Sequence, residues 1–328
     1  MLLTFIIPVF NTGDYIARCV DSILNSSLSP TDYEIILVND GSTDNSFEII
    51  NQFTSACKSA RCITQENRGL GAARNLGLRE AKGRYVFFVD SDDYVVSENL
   101  SVLAAYAENC QSEVILFESV CRKDNRKDSI LNHRPELIGK TFSGEYYLRG
   151  YNLQMSVWSC LFLRDFLIRN RLQMPEGIFH EDELFLPTAL LKAVDMSFFP
   201  KKVYVYNLRD NSITGNKSKG HVEKRIRDFV FVINCLHQLS SKDSLSLAQQ
   251  TALNRRVHFL VVDLAVNLIK GDASDELVGE SLSAMRDLGL FPLRRGWYSW
   301  KYIFFRYFIR SEKFVSLLTR FYRQESFF

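Results

Sequence analysis

The stretch Tyr85-Val86-Phe87-Phe88-Val89-Asp90-Ser91-Asp92-Asp93 constrains this chain more than any other. Its continuous apolar run reads as a strand buried on both faces, so it belongs inside a sheet with layers above and below it. Three carboxylates follow within four positions. Side chains alternate along an extended backbone, which puts Asp90 and Asp92 on the same side of the strand tip. In an open α/β sheet the C-terminal strand tips are where ligands bind. Two neighbouring carboxylates repel unless a cation sits between them. Mg²⁺ or Mn²⁺, with phosphate oxygens in the remaining positions, meets that demand. The plainer alternative is a solvated acidic turn ahead of a helix, with Ser91 or Asp93 as its cap.

The rest of the chain supplies the layers. Leu3–Val9, Glu34–Val38, Arg61–Gln65 and Val114–Phe117 are further strand candidates. Helical spacing of apolar residues appears between them. It runs from Ile16 to Leu24, where Asp14 is placed to cap, and from Phe47 to Phe53, where Asp44 or Ser46 is. Further helices are expected over 69–81, with Gly83 as the C-terminal stop, and over 99–109. Alternation of this kind predicts βαβ units and a mostly parallel open sheet flanked by helices. Residues 121–134 read as a loop or exposed hairpin, Val157–Phe162 as a strand, and a helix is expected from Glu181. Met196–Phe199 and Val203–Tyr206 read as two short strands. Beyond Gly220 only helices are expected, over 222–239, 245–269 and 275–288, so a boundary falls near 220.

Composition narrows the function classes. Hydrophobic residues make up 46% of 328, enough for a sizeable core, and no apolar run is long enough to span a bilayer. The start, Met1-Leu2-Leu3-Thr4-Phe5-Ile6-Ile7-Pro8, lacks a basic n-region and reads as a strand, not a signal peptide. Seven cysteines without a C-x-x-C pair point to free thiols in a reducing compartment. The net charge of +2 gives no reason to expect a nucleic-acid partner.

Four further stretches carry candidate chemistry. Asp40 follows a buried strand and opens Asp40-Gly41-Ser42-Thr43-Asp44; it reads as an acceptor for a uracil imide or a ribose hydroxyl, or as a turn residue. Gly69-Leu70-Gly71 with Arg74 nearly spells the dinucleotide fingerprint, with Arg74 in place of the third glycine, and a helix start flanked by Arg68 and Arg74 suits a phosphate. His180-Glu181-Asp182-Glu183 is either an acidic first helical turn or the seat of a general base. The loop after Tyr204-Val205-Tyr206 holds Arg209 and Ser212, placed to close over a diphosphate or to form an ordinary surface loop.

In their order and spacing, four blocks resemble the family 2 glycosyltransferases, which have the GT-A fold. They are Ile7-Pro8-Val9-Phe10-Asn11, Val38-Asn39-Asp40-Gly41-Ser42-Thr43-Asp44, Asn67-Arg68-Gly69 with Ala73-Arg74-Asn75, and Val89-Asp90-Ser91-Asp92-Asp93. Trp158, Glu181-Asp182 and Tyr206 to Ser212 resemble the acceptor half of bacterial members. The resemblance implies a GT-A α/β catalytic domain over 1–220, with a nucleotide-sugar half (1–117) and an acceptor half (118–220), then a helical region over 221–328. It implies that Pro8, Asn11, Asp40, Arg74, Asp90, Arg209 and Ser212 contact the donor nucleotide. Asp90 and Asp92 would hold a divalent metal, Mn²⁺ or Mg²⁺, and Asp182 would be the base of an inverting transfer. The expected donor is a UDP-sugar, the acceptor a glycan or lipid-linked hydroxyl, and the setting bacterial surface polysaccharide assembly in the cytoplasm. A sugar nucleotidyltransferase, a dinucleotide-dependent oxidoreductase and a non-catalytic binding module are the competing readings. Residues 294–323 interleave basic and aromatic side chains, which suits the inner face of an anionic plasma membrane, a helix packed on the catalytic domain or a homodimer contact.

Overall fold

Strands β1 (Leu3–Val9) and β2 (Tyr33–Asp40) are buried along their whole length, as continuous apolar runs require. In the computed structural model they pair in parallel, Leu3 opposite Tyr33 through Val9 opposite Asn39. β3 (Ala60–Gln65) joins the free side of β2, and β4 (Tyr85–Phe88) the free side of β1, both in parallel. The order β3-β2-β1-β4 therefore reverses direction of growth at β1, and the crevice between the tips of β1 and β4 is a topological switch point. The structure describes residues 1–123, 128–151, 156–208, 218–270 and 273–293, together with 302–303, 315 and 318–319.

The sheet becomes mixed beyond β4. β8 (Cys160–Leu163) runs antiparallel between β4 and β6 (Val114–Lys123). β9 (Met196–Leu208) pairs with β6 in parallel and with the short β5 (Tyr94–Val95) in antiparallel fashion, while β7 (Ser129–Leu131) forms a hairpin with β6. Met196–Phe199 and Val203–Tyr206 are thus one strand, not two. The Pro200-Lys201-Lys202 interruption is absorbed as a register shift opposite Phe117 to Ser119. Phe5, Phe87 and Phe117 form an aromatic row across the sheet, with centroids 5.7 and 5.3 Å apart. Each such ring contributes about 1.5–3 kcal/mol by burial.

Helices α1 (Gly13–Leu24), α2 (Ser46–Ala56), α3 (Leu70–Glu80), α4 (Ser97–Cys110), α5 (Gly144–Gly150), α6 (Arg164–Arg169) and α7 (Glu181–Lys192) flank the strands. α1 buries Ile16, Cys19, Val20 and Ile23, one stripe at helical spacing. Its cap differs from expectation. Asp14 lies inside the first turn, and Asp44 supplies the acceptor, with Oδ2 taking the Gly13 N–H at 3.0 Å and Oδ1 the Ser46 N–H at 3.0 Å. One carboxylate therefore serves the starts of α1 and α2. Burial opposes the charge of Asp44, but these bonds hold its carboxyl below the usual range. Gly83 is likewise no helix stop. α3 has already ended in extended backbone at Ala81, and a side chain at 83 would overlap the β1 backbone at Leu3 and Thr4.

Contacts divide the chain into two units, Met1–Gly177 with Glu181–Arg209, and Ile178–His180 with Asp210–Phe328. The second unit is helical where described: α8 (Lys219–Ser240), α9 (Leu247–Lys270) and α10 (Asp275–Asp287). α8 packs against α9, and it buries Val222, Ile226, Phe229 and Ile233 at helical spacing. Among the described residues no helix is long and apolar enough to cross a membrane. Apart from Tyr302, Ile303, Val315, Leu318 and Thr319, the basic-aromatic segment 294–323 lies outside the described residues.

Candidate active site

The loops after β1, β2 and β4 converge at the switch point. Pro8 is buried in β1 one step past the last β1–β4 ladder bond, from Val89 N–H to the Ile6 carbonyl at 3.0 Å. Its missing N–H faces the side from which β4 has turned away, so a central strand tolerates it. Asn11 adopts φ 52°, a left-handed conformation that asparagine tolerates, and its Oδ1 accepts from Thr43 N–H at 2.8 Å. Asp40, at the tip of β2, is buried. Its Oδ1 accepts from Gln65 Nε2 (2.7 Å) and Arg68 N–H (2.9 Å), and its Oδ2 from Gly69 N–H (2.9 Å). Asp40 thereby fixes the glycine turn that opens α3.

The acidic motif is a turn and not a continuing strand. β4 ends at Phe88, and Asp93 N–H closes on the Asp90 carbonyl at 3.0 Å. The period-two alternation expected to align Asp90 and Asp92 stops before it reaches them. Asp90 and Asp92 remain part-exposed, whereas Ser91 and Asp93 point inward. Asp93 is 0% exposed. Its Oδ2 accepts from the Tyr204 hydroxyl at 2.6 Å and its Oδ1 from Asn207 N–H at 2.8 Å. Burial, then Asp92 and Asp90, pushes its carboxyl up to about 9. Thr12 Oγ1 donates to Ser91 Oγ at 2.9 Å and ties this turn to the β1 loop.

Arg74 joins the acidic turn to α7. Its side chain is 1% exposed. Nη2 meets Asp90 Oδ1 at 2.7 Å, while Nη1 meets Glu181 Oε1 at 2.7 Å and Asp182 Oδ1 at 2.8 Å. Burial disfavours the guanidinium charge, but Asp182, Asp90 and Glu181 outweigh it and hold the arginine above its ordinary value. The residue that breaks the glycine fingerprint is therefore a buried counter-ion. Burial also raises Asp182, against the opposing pull of Arg74. Burial and Asp182 together push Glu181 up to about 7. Asp182 Oδ2 accepts from Val157 N–H at 3.2 Å. His180, at φ 63°, packs its ring on Phe229 (4.5 Å) inside the second unit. Burial, with Arg225, lowers it to about 4.

Trp158, in the turn 157–159 before β8, lies flat on Tyr204 (4.5 Å, 4°) and close to Tyr206 (5.6 Å, 18°). Tyr204 and its hydroxyl had no signal in the sequence beyond an aromatic in a strand. The contact joins residues far apart in the chain. Arg209 and Ser212 lie outside the described residues. Among the described residues no three His, Cys, Asp or Glu side chains are grouped to hold an ion. A divalent cation here would have one or two carboxylates plus substrate phosphates, the usual Mg²⁺ arrangement. Asp92 and the Oδ2 of Asp90 fit that set, since only Oδ1 of Asp90 is taken by Arg74.

Residues 4–172 match the sequence profile of glycosyl transferase family 2. The chain belongs to that family. Glycosyl transfer is the chemistry for which that family is named. Among family 2 relatives, the uncharacterized glycosyltransferase EpsJ of Bacillus subtilis is 33% identical over 221 residues, 65% of this chain and 63% of EpsJ. The poly(ribitol-phosphate) beta-glucosyltransferase of Bacillus spizizenii is 34% identical over 212 residues, 63% of this chain and 32% of that protein. The chain thus spans less than two thirds of either relative. The crystal structure of Staphylococcus aureus TarS 1-349 in complex with UDP-GlcNAc superposes with a TM-score of 0.65 at 19% identity, covering 99% of this chain and 92% of that one. The family 2 chain therefore has the GT-A fold, with a helical C-terminal region.

Proposed function

We propose that this glycosyltransferase moves a sugar from a UDP-sugar to a hydroxyl of a glycan or lipid-linked acceptor in surface polysaccharide assembly, with inversion and with a divalent metal. The observation that carries the reading is Arg74, which holds Asp90 of the acidic turn and Asp182 of α7 on one guanidinium. A donor-side carboxylate and a candidate base are thereby fixed at adjacent positions, as transfer between two bound substrates requires. Two relatives support donor and setting: TarS was crystallised with UDP-GlcNAc, and the Bacillus spizizenii enzyme is named for poly(ribitol-phosphate).

In this reading Pro8, Asn11 and Asp40 line the nucleotide side. With three bonds on two oxygens among the described residues, Asp40 retains lone-pair capacity for an imide or ribose donor. Asp90 and Asp92 would hold the cation, which when bound offsets the charge of the departing diphosphate. The acceptor oxygen forms a bond to the anomeric carbon as the bond from that carbon to the β-phosphate oxygen breaks. The hydroxyl proton passes to the Asp182 carboxylate, and UDP leaves. A carboxylate raised by burial is a better base near neutral pH than an exposed one. Arg209 and Ser212 join the diphosphate side of the proposal on sequence grounds alone.

Asp182→Asn tests the assignment. Turnover should fall by about two or more orders of magnitude, the scale of general-base catalysis. UDP affinity in Mn²⁺, measured by calorimetry, should change little. The product's anomeric configuration, read by NMR, should be opposite to the donor's. Normal turnover in the variant, or retained configuration, would remove the mechanism.

A further inference from the structure

Two connections run between the acidic turn and α7. Arg74 is the ionic one. The second consists of the Asp182 carboxylate, the Val157 N–H, the Trp158 ring and the Tyr204 phenol. Val157 N–H donates to Asp182 Oδ2 at 3.2 Å. The next residue, Trp158, is stacked on Tyr204 with rings 4° from parallel. The Tyr204 oxygen then spans the turn: it accepts from Asp90 N–H at 3.1 Å and donates to Asp93 Oδ2 at 2.6 Å. Tyr204 is fully buried, so its oxygen is committed to these partners and touches no substrate.

We propose that Tyr204 is a positioning residue that sets the Asp90–Asp93 turn, and that Trp158 couples this setting to the orientation of Asp182. The inference rests on the proposed roles of Asp90, Asp92 and Asp182. A single phenol oxygen fixes the first and last residues of the turn, and so fixes the backbone that carries Asp92. β9 contributes a second restraint, because Asn207 N–H also holds Asp93. Trp158 and Val157 are neighbours on one short turn, so a shift of the indole moves the N–H that orients the base.

Tyr204→Phe removes one hydroxyl and keeps the ring on which Trp158 lies. Calorimetric titration with UDP should show affinity in Mn²⁺ weakened by about tenfold, the scale of one lost buried hydrogen bond. Affinity for UDP without metal should be unchanged, because Asp40 and the β1 loop keep their bonds. A general loosening of the fold would weaken both. Equal affinity of variant and wild type in Mn²⁺ would overturn the placement of Tyr204. The coupling is read from turnover in a double-mutant cycle of Trp158→Phe with Asp182→Asn. Trp158→Phe should lower kcat severalfold in the wild-type background and leave the residual rate of Asp182→Asn nearly unaltered. Losses that multiply would overturn the coupling. Should Asp182→Asn alone retain full turnover, the base assignment fails, while the Mn²⁺-dependent UDP arm still reads Tyr204 by itself. That arm also stands on Trp158→Phe if Tyr204→Phe does not fold, with a smaller loss expected and an unchanged affinity counting against the proposal.

Discussion

Arg74 is outnumbered by three carboxylates, Asp90, Glu181 and Asp182, each within 2.8 Å of its guanidinium. A cluster so unbalanced lowers its energy by holding a proton, and Glu181 is where burial and Asp182 favour it. The folded protein binds that proton more tightly than the unfolded chain, since the carboxyl rises from 4.5 to about 7. Stability is therefore fullest below the unfolded value and declines as pH rises through the folded one. Glu181→Gln removes this titration. Its Tm relative to wild type should shift upward between about pH 5 and about pH 8, because glutamine resembles the protonated acid and is spared its ionisation. A difference that stays constant across that range would place the proton elsewhere.

At the scale of elements, α3 is docked through residues that a helix alone would not choose. Asn75 Nδ2 donates to the Met174 carbonyl and its Oδ1 accepts from Met174 N–H, both at 2.9 Å. Gly71 lets Pro175 approach; a methyl there would overlap the Pro175 carbonyl oxygen. Gly→Ala within a helix ordinarily stabilises by roughly 0.5–1 kcal/mol. Gly71→Ala should instead destabilise, by about 1–3 kcal/mol in urea unfolding, because backbone must move to admit the methyl. Stabilisation would mean that the 174–176 segment yields freely.

The same contrast explains what could be read in the chain. β1, β2 and β4 were legible because strands buried on both faces are apolar without interruption. α1 was legible because its buried stripe follows helical spacing. The cap at Asp14 and the stop at Gly83 were misplaced because both depend on residues distant in sequence, Asp44 and the β1 backbone. At the site, Asp40, Asp90 and Asp182 each announce themselves as acids at element tips. Nothing local says that Arg74 is a counter-ion, or that Trp158 lies on Tyr204 across 45 intervening positions. Those contacts exist only once β8 and β9 have entered the sheet.

At the scale of the whole molecule the site is a charge pattern as much as a shape. Acids crowd the switch point, and the donor brings a further anion. Transfer should therefore require a cation from solution. Chelation with EDTA should abolish nucleotide release from UDP-sugars, and Mn²⁺ or Mg²⁺ should restore it. Full activity after chelation and dialysis would show that Arg74 and the loop backbone suffice. Running the assay over UDP-, GDP- and dTDP-sugars names the donor in the same experiment.

β8 lies between β4 and β6, although it comes after both in the chain. The strands before and after residue 117 consequently share one hydrogen-bonded sheet. During synthesis the growing polypeptide can lay β1 to β4 together and still has no partner for the outer side of β4. Unpaired strand edges recruit other chains. Until Leu163 has emerged from the ribosome, β4 and β6 each wait for the same four residues, Cys160–Leu163. Pairing between strands so far apart in sequence is slow to form. The nascent chain thus keeps these two edges open until the segment that carries Val157, Trp158 and β8 arrives, and the sheet closes only when β9 follows and pairs with β6 and β5.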